Sequence, residues 1–190
     1  MDSILKHRYD SYREKNTFPP ETRALEKDGI KPFTDIEKLN EWRENTSSLE
    51  VINEKIGYIL RGKIDDVLMD KNGALVPADY KSSGNEPGED KQKYYRDQLA
   101  AYGFMFREHG HKVSSRAYLL HYYPKDKTNP SITIEFEGHI DPVDIGSINI
   151  ERKLKDMVEL LNNPYPGHNG ICERCNYHNG RGDLLNNDDK

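Results

Sequence analysis

The sequence predicts an α/β fold, a central mixed sheet flanked by helices, on three observations. Two β-rich runs, Ile56–Met69 and Ala74–Ser82, close around Lys71-Asn72-Gly73, and Asn-Gly between apolar runs is a strong hairpin signal. Helix-period stripes lie on either side of them: Leu5, Tyr9 and Tyr12 before, and Tyr95, Leu99, Tyr102 and Phe106 after. Strand-like runs then return at Arg116–Tyr123 and Ser131–Phe136.

Taken in order, residues 2–15 form a short helix, and Thr17–Pro32, with Pro19, Pro20 and Pro32, an irregular wrap. Thr34-Asp35-Ile36-Glu37 is a capping box opening a second helix through Trp42. Trp42 reads as a core residue rather than a base-stacking platform. After the hairpin, Ser82–Lys91 is a loop bearing Gly84, Pro87 and Gly88, read either as a flap over substrate or as a plain solvent loop. A helix over about Asp90–His109 follows, then the two later strands, with His121 bonded within the sheet. A helix over Asp141–Asn162 carries Ile150, Leu154, Met157, Val158 and Leu161 on one face. No further strand is evident ahead of the Ile56 run.

At 190 residues the chain is read as one domain, 1–190, with a helical N-terminal segment (about 1–50) and a short C-x-x-C tail (about 165–190). No apolar stretch approaches a membrane span, the N-terminus lacks a signal-peptide core, and Cys172 and Cys175 are too close for a disulfide framework. A cytoplasmic setting is expected. The net charge of -5 argues mildly against a nucleic-acid binder. Residues 91–127 soften that objection, with eight Lys/Arg against three acids.

The chemistry concentrates at the hairpin. Strand side chains alternate, so Asp79 and Lys81 share a face and Tyr80 takes the other. A carboxylate on the partner strand would complete a site for one hard divalent cation and a water. A two-residue Asn-Gly turn sets Asp66 opposite Asp79. A three-residue Lys-Asn-Gly loop with Gly73 left-handed sets Asp65 there. Pro77 lacks an amide donor and is able to add its own bulge. Both pairings stand open on local physics.

Gly62-Lys63-Ile64-Asp65, then Asp79-Tyr80-Lys81, then Gln98-Leu99-Ala100-Ala101-Tyr102 resemble G-x-x-D, D/E-x-K and Q-x-x-x-Y, the signature of the PD-(D/E)XK nuclease superfamily. Within it they resemble the RecB-like branch, which includes CRISPR-associated exonucleases. The likeness covers roughly residues 56–123. It implies a restriction-endonuclease-like core and a metal-dependent DNA nuclease, with exonuclease action favoured. The alternative it leaves is a catalytically idle subunit that binds nucleic acid or a partner protein.

The resemblance favours Asp65 over Asp66. It implies Mg²⁺ or Mn²⁺ held by Asp65, Asp79 and the Tyr80 carbonyl, with Asp65, Asp79, Lys81, Gln98 and Tyr102 as the catalytic set. His7 is a further candidate contact, set against a plain surface role. DNA, single- or double-stranded, is the implied partner, with recombination, repair, phage or CRISPR-related proteins beside it and no membrane. Many RecB-like relatives hold an iron–sulfur cluster on four cysteines. Two cysteines cannot supply that set, which argues against a cluster. Zinc on Cys172 and Cys175 with His168 or His178 is the alternative to a metal-free tail.

Overall fold

A computed structural model describes residues 1–88, 91–126, 128, 133–164 and 172–177. The chain divides into two compact units, Met1–Lys155 and Asp156–Lys190. In the first, α1 (Asp2–Arg13) leads through a 3₁₀ helix (Pro20–Asp28) to a two-residue strand β1 (Lys31–Pro32) and then α2 (Ile36–Glu44). Next come β2 (Val51–Asn53), β3 (Tyr58–Leu60), β4 (Asp66–Met69) and β5 (Leu75–Ser82). Helix α3 (Lys91–Glu108), β6 (Arg116–Pro124), β7 (Phe136–Asp144) and α4 (Ile150–Asn162) follow. The second unit's described residues include the end of α4 and a short helix over 173–177.

The main sheet runs β1-β4-β5-β6-β7, with β2 and β3 a separate ribbon. Among the strands of the described residues, β5 and β6 are the one parallel pair. A parallel pair cannot be joined by a tight turn, and α3 is the crossover. The α/β fold with a mixed sheet is therefore present, and it is consistent with a restriction-endonuclease-like core. Two strands not evident in the sequence lie ahead of Ile56, β1 in the main sheet and β2 in the ribbon; at two and three residues they are too short to show alternation.

Alternation along the central strands divides the interior in two. Val67, Leu75, Ala117 and Leu119 face a core with Leu99, Phe106, Trp42 and Leu39, under α3 and α2. Leu68, Val76, Ala78, Tyr80, Tyr118 and Leu120 face a second core with Leu5, Tyr9, Phe18 and Leu25, under α1 and the 3₁₀ helix. Trp42, as expected, is core: it is 1% exposed and packs edge-on against Phe106 at 4.8 Å.

Several boundaries differ from the sequence reading. The Ile56–Met69 run is not one strand: it breaks into β3 and β4, which belong to different sheets. Residues 61–64 cross between them, with Ile64 buried. The α2 cap is Asp35 rather than Thr34, its carboxylate accepting the Lys38 N–H at 3.0 Å. The last strand starts at Phe136, where the reading ended it, and takes in Asp141–Asp144, which had been assigned to a helix. Pro142 is tolerated because β7 is an edge strand. Residues 131 and 132 lie outside the described residues. Of the stripe expected on α4, Ile150 is buried whereas Met157 and Leu161 are exposed. No helix among the described residues is long and apolar enough to cross a membrane.

Candidate active site

The hairpin turn fixes which aspartate meets Asp79. Asp70 and Ala74 close a three-residue loop, Asp70 N–H donating to Ala74 O at 2.9 Å and Gly73 N–H to Asp70 O at 3.0 Å. The Asp70 carboxylate accepts the Asn72 and Ala74 amides, both at 2.8 Å. Gly73 has φ +74°, a left-handed conformation costly for a side chain. Asp66 consequently pairs with Ala78, and one step further Asp65 stands opposite Asp79.

Strand parity then separates the two neighbouring aspartates. Asp66 turns toward α1 and is fully buried. It accepts from Arg13 Nη2 at 2.5 Å, from Tyr80 Oη and from the Val67 amide at 2.7 Å, with Arg43 Nη2 3.7 Å away. Tyr80, as alternation requires, points to the same side and packs on Tyr9 with ring centroids 4.8 Å apart. Asp66 is thus a structural charge inside a closed cage.

Asp65 and Asp79 lie on the other side, toward α3. Asp65 Oδ2 accepts the Tyr80 N–H at 3.2 Å. Asp79 is 1% exposed. Its Oδ1 accepts from Gln98 Nε2 at 3.2 Å. Its Oδ2 lies 2.5 Å from Lys81 Nζ, in a geometry that satisfies no hydrogen bond. Burial pushes the Asp79 carboxyl up to about 6; the Lys81 ammonium opposes this, and the charge of Asp65 adds to it. Lys81 Nζ also sits 4.4 Å above the Tyr95 ring.

Gln98 and Tyr102, one helical turn apart on α3, form a brace. The Gln98 amide gives one hydrogen to Asp79 and the other to Tyr102 Oη at 3.0 Å, and Tyr102 gives its own to Lys63 O at 2.7 Å. Burial raises the Tyr102 phenol, keeping it a donor. Gly62 is explained by the same contact: a Cβ there would meet Met105 Cε at 2.8 Å and Tyr102 Cε1 at 3.1 Å.

A buried carboxylate facing a partly exposed one, the buried one with an oxygen outside any hydrogen bond, is suited to a hard divalent cation. Among the described residues no three His, Cys, Asp or Glu side chains gather into a metal-holding group, so Asp65 and Asp79 alone would supply the side-chain ligands. His7 is exposed and bonded to the Ser3 carbonyl at 2.7 Å. Cys172 and Cys175 are not joined in a disulfide. The Cys175 amide pulls the Cys172 thiol below its usual value. His168 and His178 lie outside the described residues. A cleft of about 400 Å³ lined by Asn16, Glu26 and Lys31 contains none of the site residues.

The sequence reading missed two features. Lys6, beside the His7 it selected, places Nζ 3.0 Å from Asp65 Oδ1. Its spacing from Asp2 and Asp10 on one side of α1 was the available signal. The second is a polar row on the sheet: Lys81 pairs with His121 and His121 with His139, while Leu119 pairs with Asp141. Asp141 meets His121 Nε2 at 2.9 Å and His139 Nε2 at 3.0 Å.

The fold is thus a five-stranded mixed sheet flanked by helices on which Asp65, Asp79 and Lys81 come together. A sequence profile of the PD-(D/E)XK nuclease superfamily matches residues 3–179, and the chain belongs to that superfamily. No curated protein matches the chain.

Proposed function

We propose that the chain is a metal-dependent deoxyribonuclease of the RecB-like type that hydrolyses phosphodiester bonds, acting as an exonuclease. The observation that carries this is Asp79, buried between Asp65, Gln98 and Lys81. Asp65, Asp79 and the Tyr80 carbonyl would hold Mg²⁺ or Mn²⁺. When bound, such an ion supplies Lewis-acid stabilisation of phosphate charge and acidifies water.

The chain's own residues do the rest. Lys81, a compact point charge, orients the attacking water and meets the charge that builds on the phosphoryl oxygens. Gln98 fixes the Asp79 carboxylate. Tyr102 ties the 62–65 segment to α3, so both carboxylates keep their spacing. DNA is the proposed substrate, with recombination, repair, phage or CRISPR-related proteins as the setting.

One observation favours a second reading, a catalytically idle nucleic-acid-binding or partner-binding subunit: each carboxylate already has an ammonium within 3.0 Å. Cleavage of end-labelled linear and circular DNA, single- and double-stranded, in Mg²⁺ and Mn²⁺ separates the two. Metal-dependent degradation that disappears in Asp79→Ala and Lys81→Ala establishes the enzyme, and sparing of circles establishes exonuclease action. DNA binding without cutting in any arm establishes the idle subunit.

A further inference from the structure

Lys6 rides on α1, the helix covering the sheet face opposite α3, yet its ammonium reaches past the start of β4 to Asp65. Nζ lies 3.0 Å from Asp65 Oδ1 and 2.9 Å from Asp2 Oδ2, with the side chain 23% exposed. The two carboxylates hold the ammonium protonated against the pull of burial. Asp65 therefore has both oxygens engaged, Oδ1 by Lys6 and Oδ2 by the Tyr80 amide. A cation held between Asp65 and Asp79 would therefore compete with Lys6 for the Asp65 carboxylate.

An ammonium and a divalent ion at contact distance on one carboxylate repel strongly at a partly buried site. The lysine stem has the freedom to swing aside, and Asp2, one turn away on the same helix, offers a place to hold. A displaced ammonium beside an acidic pair is then free to take a phosphate oxygen as a strand enters. An ordinary surface ion pair would have little effect on either event.

We propose that Lys6 is an exchangeable cation: it occupies Asp65 while no divalent ion is bound, yields it to the ion, and then contacts a phosphate of the nucleic-acid strand. This rests on the nuclease reading of Asp65 and Asp79.

The test is Mn²⁺ titration of the full chain by calorimetry, with thermal melts confirming the fold of each variant. Lys6→Met is expected to bind Mn²⁺ about tenfold more tightly than wild type, and Asp65→Asn to bind it more weakly. In a Lys81→Ala background, which leaves the strand uncut, adding Lys6→Met weakens binding of a labelled oligonucleotide about tenfold, and Lys6→Arg restores it. Amine-reactive footprinting of wild type shows Lys6 labelling rising as Mn²⁺ is added. If wild type binds Mn²⁺ and cuts DNA but Lys6→Met binds the ion no more tightly, the Lys6 proposal alone falls. If wild type neither binds Mn²⁺ nor cuts, the nuclease reading falls and takes Lys6 with it.

Discussion

Adjacent aspartates of one sequence, Asp65 and Asp66, are given opposite tasks by which side of β4 they occupy. Asp66→Ala removes the carboxylate between Arg13, Arg43 and Tyr80 and leaves two buried guanidinium groups to share the carboxylate of Asp10. A loss of about 3–5 kcal/mol in urea unfolding is expected. Asp65→Ala, at a half-exposed position, leaves unfolding nearly unchanged and abolishes cleavage. Asp79 adds a pH signature. Its carboxyl is raised from 3.8 to about 6 in the folded chain, so folding favours the protonated form. That contribution is complete below about pH 4 and is lost as pH rises through about 6. In metal-free buffer at pH 7.5, Asp79→Asn should gain about 1–3 kcal/mol, a gain that vanishes near pH 3.5. The ionised form is the one that holds the cation, so wild-type cleavage should fall as pH drops below about 6.

Among elements, α3 is the one whose contacts set the site's dimensions. Gly62 lets the crossing segment lie against the Tyr102 ring. Met105 has a flexible end and can withdraw from an added methyl; the ring, held by its bond to Lys63 O, cannot do so without breaking the brace. Gly62→Ala should cost about 1–3 kcal/mol and lower kcat, because Lys63 and Asp65 shift together; parallel melts and rate assays check this. Much of this region was legible. Asn-Gly, Asp-Tyr-Lys and the Gln-to-Tyr spacing are local patterns, and they fell on a hairpin and a helix as read. The loop length was not legible, since Lys71-Asn72-Gly73 suits two turns. Only Asp70's grip on two loop amides selects one of them. Lys6 gave only the weak signal of its spacing from Asp2 and Asp10, because its contact with Asp65 depends on where α1 docks. The edge strand β7 was misplaced because its apolar content is sparse.

At the scale of the molecule, the basic run of residues 91–127 is not a single patch. Lys112 and Ser114 flank Leu75, with Leu75 N–H donating to Lys112 O at 2.8 Å. Arg116 opens β6 opposite Asp144. These charges stand at the end of β5 away from Lys81, about 20 Å along the strand. Arg96 is occupied with Asp144 O and Ser147. Clustering in sequence did not become clustering in space. Lys112→Ala with Arg116→Ala should change DNA affinity less than about twofold and leave the salt slope of binding intact, measured by fluorescence anisotropy across a salt series.

The Asp66 cage and the Asp70 turn bear differently on how the chain avoids folding incorrectly. Residues 67, 68, 75, 76 and 78 are buried on both sides of the sheet, so burial alone barely discriminates a hairpin zipped one residue out of step. Such a hairpin would still offer an aspartate opposite Asp79 and would look chemically intact. It would also bring Asp65 to Arg13 and Tyr80 in place of Asp66, so the guanidinium groups accept either pairing. The Asp70 turn does not: its carboxylate holds the Asn72 and Ala74 amides only in the three-residue loop. Weakening that turn would let a correctly composed but misassembled hairpin accumulate during refolding.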